Sequence, residues 1–512
     1  MKKMKNNKAN FLLLFLIFCF GMFLRTYRLN NTFQSSDNAF LATKILTNPG
    51  YRWMIFENYG VLINFYVKVF TGFLSLLGIP LNEFWFKLPI AIIGSAQIIL
   101  SFGFLNWLMK NRASALLGAG LISILPIHVM QSRYLWGYEV LGTFFLTIAI
   151  WVLLLYFENP TKKNGFFVSL SIGFYSISHG YILPGSITLF IIMMISVGRD
   201  DGIINRLRKV IHHIINSKIY LIPLLFLPLT IFPLIHALSK DTRLGFYVFD
   251  YLCDFLSGLG AGFAILVGWG ILKFFISNHT KVHTEWLFLI VSFIYSAPLI
   301  FGASPGTTVA EGYFLISTYF LLLFVILILN RYIKQTRLVF RVLFFSSVLL
   351  TTWGIFESVL LRDQGFDPSF IKANRGMAAI DPGSKAAAYE IRTELGNDIK
   401  ILALHGALEP PNMEYYFGKT EISFFDLTSE LKTLAYQKYI NLVDVVVVGK
   451  DFLTTMSIDP NFYQWIEISS ENVPQMWVFL RNTFEKHSIS IYTEEFNSKY
   501  DLLYPKYSNL LD

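Results

Sequence analysis

The feature that most limits this chain is a succession of long apolar runs. Inside a bilayer only helices and closed barrels satisfy their own backbone groups. A helix needs about 20 mainly apolar residues to cross about 30 Å of hydrocarbon. Such runs lie near 10–26, 85–109, 114–131, 136–157, 165–179, 181–197, 219–238, 258–277, 286–302, 313–330 and 338–358, so an α-helical polytopic membrane protein of about eleven spans is expected. Ser178-His179-Gly180 alone separates the fifth run from the sixth. The first run follows Lys2, Lys3, Lys5 and Lys8, as a signal peptide would. Its length, its lack of an A-x-A-like site and the spans that follow make it an uncleaved anchor. Composition agrees: 54% of residues are hydrophobic and 15% charged, against about a quarter charged in soluble domains. Cys19 and Cys253 are the only cysteines, too few for a disulfide framework or a cysteine zinc site.

The formal charge of +8 takes its meaning from placement. Lys110/Arg112, Lys162/Lys163, Arg206/Arg208/Lys209 and Arg331/Lys334/Arg337 mark loops that alternate with loops near 179–181 and 303–312 free of Lys and Arg. That is the positive-inside pattern. It predicts a cell-membrane protein with a cytoplasmic amino terminus and, after an odd number of crossings, an extracytoplasmic tail. A nucleic-acid partner is not expected. Asp37, Glu57, Glu83, Glu139, Asp241, Asp250, Asp254 and Glu311 then fall on the outer side.

Two outer loops exceed what a connection needs. In the first, 27–84, Asp37 to Thr47 reads as a short helix capped by Ser35 or Ser36. Tyr59 to Leu77 reads as a helix lying at the interface. The second, about 239–257, carries Lys240, Asp241, Arg243, Asp250 and Asp254. The chain therefore divides into a membrane domain (1–360), a linker (361–375) and a small extracytoplasmic α/β domain (376–512). In the last, strands are expected at Ile399–Leu404, Glu421–Phe425, Val443–Val448, Tyr463–Ile468 and Met476–Leu480, and helices at Ser384–Leu395 and Thr428–Tyr439. Within Val443–Val448 the consecutive valines Val445–Val448 suit a buried central strand. Gly418-Lys419-Thr420 is not a phosphate loop, because Met413 stands where that motif needs glycine.

What carries chemistry is an order of loose motifs. Phe23-Leu24-Arg25-Thr26-Tyr27-Arg28-Leu29 closes the first span, Asp37 follows, and then come Tyr59–Leu77 and Phe86-Lys87-Leu88-Pro89-Ile90. Pro126 to Tyr138, containing Ser132-Arg133, forms the corner before the fourth span. In this order the chain resembles the GT-C glycosyltransferase superfamily over most of 10–360, in its branch of protein O-mannosyltransferases and lipid A aminoarabinose transferase. The pattern departs at Asn38, where many relatives have Glu, at Asn58-Tyr59-Gly60 and at Gly312-Tyr313.

The resemblance implies transfer of a sugar from a dolichyl- or undecaprenyl-phosphate donor to a lipid, glycan or protein acceptor at the outer face. It gives Asp37 the role of general base toward the acceptor hydroxyl. A carboxylate at a membrane boundary is partly desolvated, which moves its pKa toward working pH. The departing phosphate needs a fixed cation; Arg133 and Arg243 are the candidates. Glu57, Tyr138, Glu139 and Glu311 are candidate substrate contacts. No motif demands a cofactor, and a divalent metal stays open.

Plainer readings stand beside these. Asp37 is also a good helix cap, and Arg133 also suits an interface anchor. Glu139 is as well explained by pairing with Arg133, His128 and His179 by packing, Glu57 by solvation, and Gly258/Gly262 by close helix contact. Two other functions fit the composition, a transporter or flippase and a noncatalytic scaffold. Transporters carry ionisable or helix-breaking residues near midplane in paired halves, whereas the acids here crowd one face.

Overall fold

The computed structural model describes residues 2–27, 29, 36–47, 61–135, 137–178, 182–196, 203–226, 261–276, 283–302, 314–332 and 344–352, together with six strands between 401 and 490. The first helix, α1 (Lys2–Thr26), turns Phe11, Leu12, Phe15 and Leu16 outward and keeps Leu24 and Arg25 inside. That sidedness suits a span at the rim of a bundle. After it come α2 (Ser36–Thr47) and α3 (Val61–Leu76), the two helices expected in the first long loop. At 16 residues, α3 is about 24 Å long, against a hydrocarbon core of about 30 Å. It buries Ile63, Asn64, Val67 and Thr71 and exposes Phe65, Val69 and Phe73.

The longest helix is α4 (Glu83–Met109), with 27 residues, or about 40 Å against a core of about 30 Å. The Asn82 side chain caps its start by accepting from the Trp85 N–H at 3.3 Å. It ends at Lys110 in a left-handed turn with φ 50°. The run at 114–131 is not one helix. It divides into α5 (Arg112–Ser123) and α6 (Pro126–Gln131). Pro126 has no N–H to continue the ladder and disfavours a helical residue before it; Leu125 is extended, with φ −67° and ψ 115°. Next are α7 (Tyr138–Glu158), α8 (Lys162–Ser178) and α9 (Ile182–Ser196). Residues 203–216, expected to be only a basic loop, form an amphipathic helix, α10 (Ile203–Asn216).

Three more helices, α11 (Ala261–Ile276), α12 (His283–Gly302) and α13 (Leu315–Tyr332), and a helical stretch at 344–352 complete the described bundle. Nearly every residue of α13 from Leu315 to Leu329 is buried, so this helix, apolar on all sides, is the centre. It packs on α5, α7, α11 and α12. Gly262 of α11 lies against the Ser347 backbone, the close approach its spacing suggested. Among the described residues, Lys8–Thr26, Glu83–Met109 and Tyr138–Glu158 are long and apolar enough to cross a membrane, with shorter apolar helices around them.

One end of the bundle is tied by polar side chains. Asn330 Oδ1 accepts from Asn111 Nδ2 at 3.0 Å and from Ser114 Oγ at 2.6 Å. Arg331 pairs with Glu285 at 2.7 Å. The basic turn at 110–112 and the basic end of α13 therefore meet there.

The tail contains a six-stranded sheet in the order β2-β1-β3-β5-β4-β6. The strands are β1 (Ile401–Ala403), β2 (Ile422–Ser423), β3 (Val445–Gly449), β4 (Tyr463–Ser470), β5 (Val473–Arg481) and β6 (His487–Ser490). β3 lies inside the sheet, parallel to β1 and antiparallel to β5. β4 and β5 pair antiparallel, with Trp465 opposite Phe479. Five strands match the sequence expectation; β6 was not anticipated. The two helices expected in the tail lie outside the described residues.

Candidate functional site

At the end of the bundle away from Asn111 and Asn330, the end of α1, the first half of α4 and the 123–137 corner enclose an uncommon number of buried charges. Arg25, Glu83, Lys87, Arg133 and Glu139 are all at most 5% exposed. Ionisable groups in such surroundings are costly unless they are bonded, and they mark function more often than packing.

Arg25 is bonded at every nitrogen. Nε donates to Ser132 Oγ at 3.3 Å and Nη2 to His128 Nδ1 at 3.0 Å. Nη1 donates to the carbonyls of Gly21 at 2.8 Å and Ser123 at 3.1 Å. The Ser123 carbonyl is available because the Pro126 break removes its helical partner, so Arg25 places a cation at the end of α5. A guanidinium only donates, so His128 Nδ1 accepts, and the neutral ring carries its proton on Nε2. That Nε2 is buried with no partner among the described residues, beside the Tyr319 ring at a centroid distance of 6.4 Å.

Arg133 performs the reciprocal task. Its Nη1 donates to the Leu24 carbonyl at 2.9 Å and the Tyr27 carbonyl at 2.7 Å, closing the end of α1. Burial lowers its pKa to about 10, so it stays a cation at neutral pH. The pairing of Arg133 with Glu139 weighed from the sequence is not formed: Arg133 turns to α1 instead. Gly94 of α4 admits Ser132, the partner of Arg25, since a Cβ there would run into Ser132 Oγ and lie 2.6 Å from Ser132 Cβ.

Asp37 is the second residue of α2; its side chain lies outside the described residues. Its helix is anchored through Leu41, Ala42, Ile45 and Leu46, which join the main core. Glu139 is buried in the first turn of α7, where the helix dipole favours an acid, and Tyr138 packs half-buried on the core. Arg243, Glu57 and Glu311 lie outside the described residues, as does His179. Glu83 and Lys87, one turn apart on α4, and Arg25 are buried charges to which the sequence reading gave no role. Among the described residues no three His, Cys, Asp or Glu side chains are placed to hold a metal ion.

Midway along the bundle the polar groups are uncharged. Gln97 Nε2 donates to Thr147 Oγ1 at 3.1 Å, and Ser101 Oγ bonds the Tyr319 hydroxyl at 2.8 Å. Buried charge and midplane polarity are thus separated along the bundle.

No protein-family description matches the chain, and no curated protein matches it. Solved structures do. ArnT from Cupriavidus metallidurans in the apo state aligns over 94% of this chain and 98% of its own, with a TM-score of 0.55 at 12% identity. The same protein bound to undecaprenyl phosphate aligns over 93% and 98%, with a TM-score of 0.56 at 13% identity. Over nearly its whole length, then, the chain shares the fold of ArnT.

Proposed function

We propose that this protein is an integral-membrane glycosyltransferase that takes its sugar from a polyprenyl-phosphate carrier. The carrying observation is the near full-length fold match to ArnT, solved with undecaprenyl phosphate, in a chain where Arg25, Glu83, Lys87, Arg133 and Glu139 are buried toward one end of the bundle. In this reading that end faces the outside of the cell membrane, the amino terminus is cytoplasmic, and the tail domain is extracytoplasmic. The acceptor is a hydroxyl of a lipid, glycan or protein.

The chemistry is a substitution at the anomeric carbon. An acceptor oxygen forms the new C–O bond, the bond from that carbon to the phosphate oxygen breaks, and the polyprenyl phosphate leaves with the electron pair. Asp37, at the start of α2, takes the acceptor proton. Arg243 supplies positive charge to the departing phosphate. Arg133 adds its field, with Nη1 held on α1, so the cation is fixed before the reaction starts. Glu57, Tyr138, Glu139 and Glu311 line the substrate path in this reading.

The test is transfer of labelled sugar from a panel of polyprenyl-phosphate donors by membranes carrying the protein. Asp37→Asn should reduce transfer about 10²- to 10⁴-fold, the usual range for losing a general base. Equal transfer by both proteins would remove Asp37 as the base. No transfer from any donor by the unaltered protein would remove the transferase reading.

A further inference from the structure

The opposite end of the bundle, where α7 finishes and α8 begins, carries a second built feature. Gly165 in the first turn of α8 admits the turn that follows α10 so closely that a Cβ would lie 2.8 Å from Ser217 Cβ and 3.1 Å from the Ser217 carbonyl. The Tyr156 hydroxyl fixes that turn by bonding His213 Nδ1 at 3.0 Å and Ser217 Oγ. Lys218 takes a left-handed conformation with φ 53°, which glycine adopts more readily. The Ile222 N–H then donates to Ser169 Oγ at 3.1 Å.

Between α8 and residues 216–225 these contacts leave an open groove of about 540 Å³. Lys162 and Lys218 both line it, together with the apolar side chains of Phe166, Leu221, Leu224 and Leu225. The order matters. Lys162 precedes the exposed Phe166 by one helical turn, and Lys218 precedes the exposed Leu221 by three residues. Alongside, α10 exposes Ile204, Leu207, Ile211 and Ile215 as one stripe while carrying Arg206, Arg208 and Lys209. Such a stripe with basic flanks belongs in a headgroup layer.

We propose that this groove binds an anionic glycerophospholipid, its phosphate held between Lys162 and Lys218 and its acyl chains laid on Phe166, Leu221, Leu224 and Leu225. Charge complementarity selects an acidic headgroup over a zwitterionic one, and the apolar wall selects a lipid over a free anion. The helix α10 lies flat beside it. This site is separate from the transferase centre and does not depend on that reading.

The experiment is thermal unfolding of the full-length protein in detergent, titrated with phosphatidylglycerol, phosphatidylcholine or inorganic phosphate. Phosphatidylglycerol should raise the midpoint at concentrations where the other two do not. Lys162→Gln/Lys218→Gln should weaken that response about 30-fold and leave the midpoint in phosphatidylcholine unchanged. Lys162→Arg/Lys218→Arg should restore it, and native mass spectrometry should find phosphatidylglycerol retained by the unaltered protein and the arginine variant. Equal responses to the two lipids, an undiminished response in the glutamine variant, or a full response to inorganic phosphate would each overturn the proposal.

Discussion

Arg25 and Arg133 show how one residue type serves two purposes at a membrane boundary. The sequence placed Arg25 only within a motif, because a basic residue at the end of a span ordinarily reaches for water. It turns inward because Gly94 opposite lets Ser132 approach and the Pro126 break leaves a carbonyl to bond. None of these three residues announces the others in the sequence, since Arg25 and Ser132 are 107 positions apart. Gly94→Ala should therefore destabilise the protein by about 1–3 kcal/mol through overpacking, read as a lower unfolding midpoint in detergent. Ser132→Gly on that background should recover part of the loss; no recovery would mean the contact is not the cause.

At the scale of elements, periodicity and breakers carried most of the information. The helices α2 and α3 were legible from Asp37–Thr47 and Tyr59–Leu77, and the central place of β3 from four consecutive valines. Two elements were not. The run 114–131 is apolar throughout, so hydropathy hid the break that Pro126 imposes. Residues 203–216 drew attention by their charge, and the apolar stripe of α10 was masked by it. The candidate site was legible only as motif order, because its bonds join elements far apart in the chain. Arg133 closes α1 from another element, and Arg133→Gln should loosen that closure. Hydrogen exchange should quicken in peptides covering 20–27 while those from α12 and α13 keep their protection. Unchanged exchange near Leu24 would show that the arginine does not hold the helix end.

For the whole molecule, charge placement predicts which way the bundle faces. The turn at Lys110 lies at one end of α4 and Asn82 at the other. In a cysteine-free background, an impermeant maleimide should label Asn82→Cys in intact cells. Lys110→Cys should react only after permeabilisation. Labelling of Lys110→Cys from outside would reverse the orientation and move the buried charges to the cytoplasmic side. The spacing of buried charge from midplane polarity favours chemistry at one face over passage across the bilayer.

The reciprocal arginines also set an order of assembly. The end of α1 is finished by Arg133, which emerges from the ribosome 109 positions after Leu24 and 106 after Tyr27. At the usual pace of synthesis, about 5–20 residues per second, α1 waits between about 5 and 20 seconds for that closure. During the wait Arg25 has neither Ser132 nor His128 as a partner. Its bonds to Ser132 and His128 form only when the 123–137 corner docks, so the end of α1 is completed only after that corner has been made.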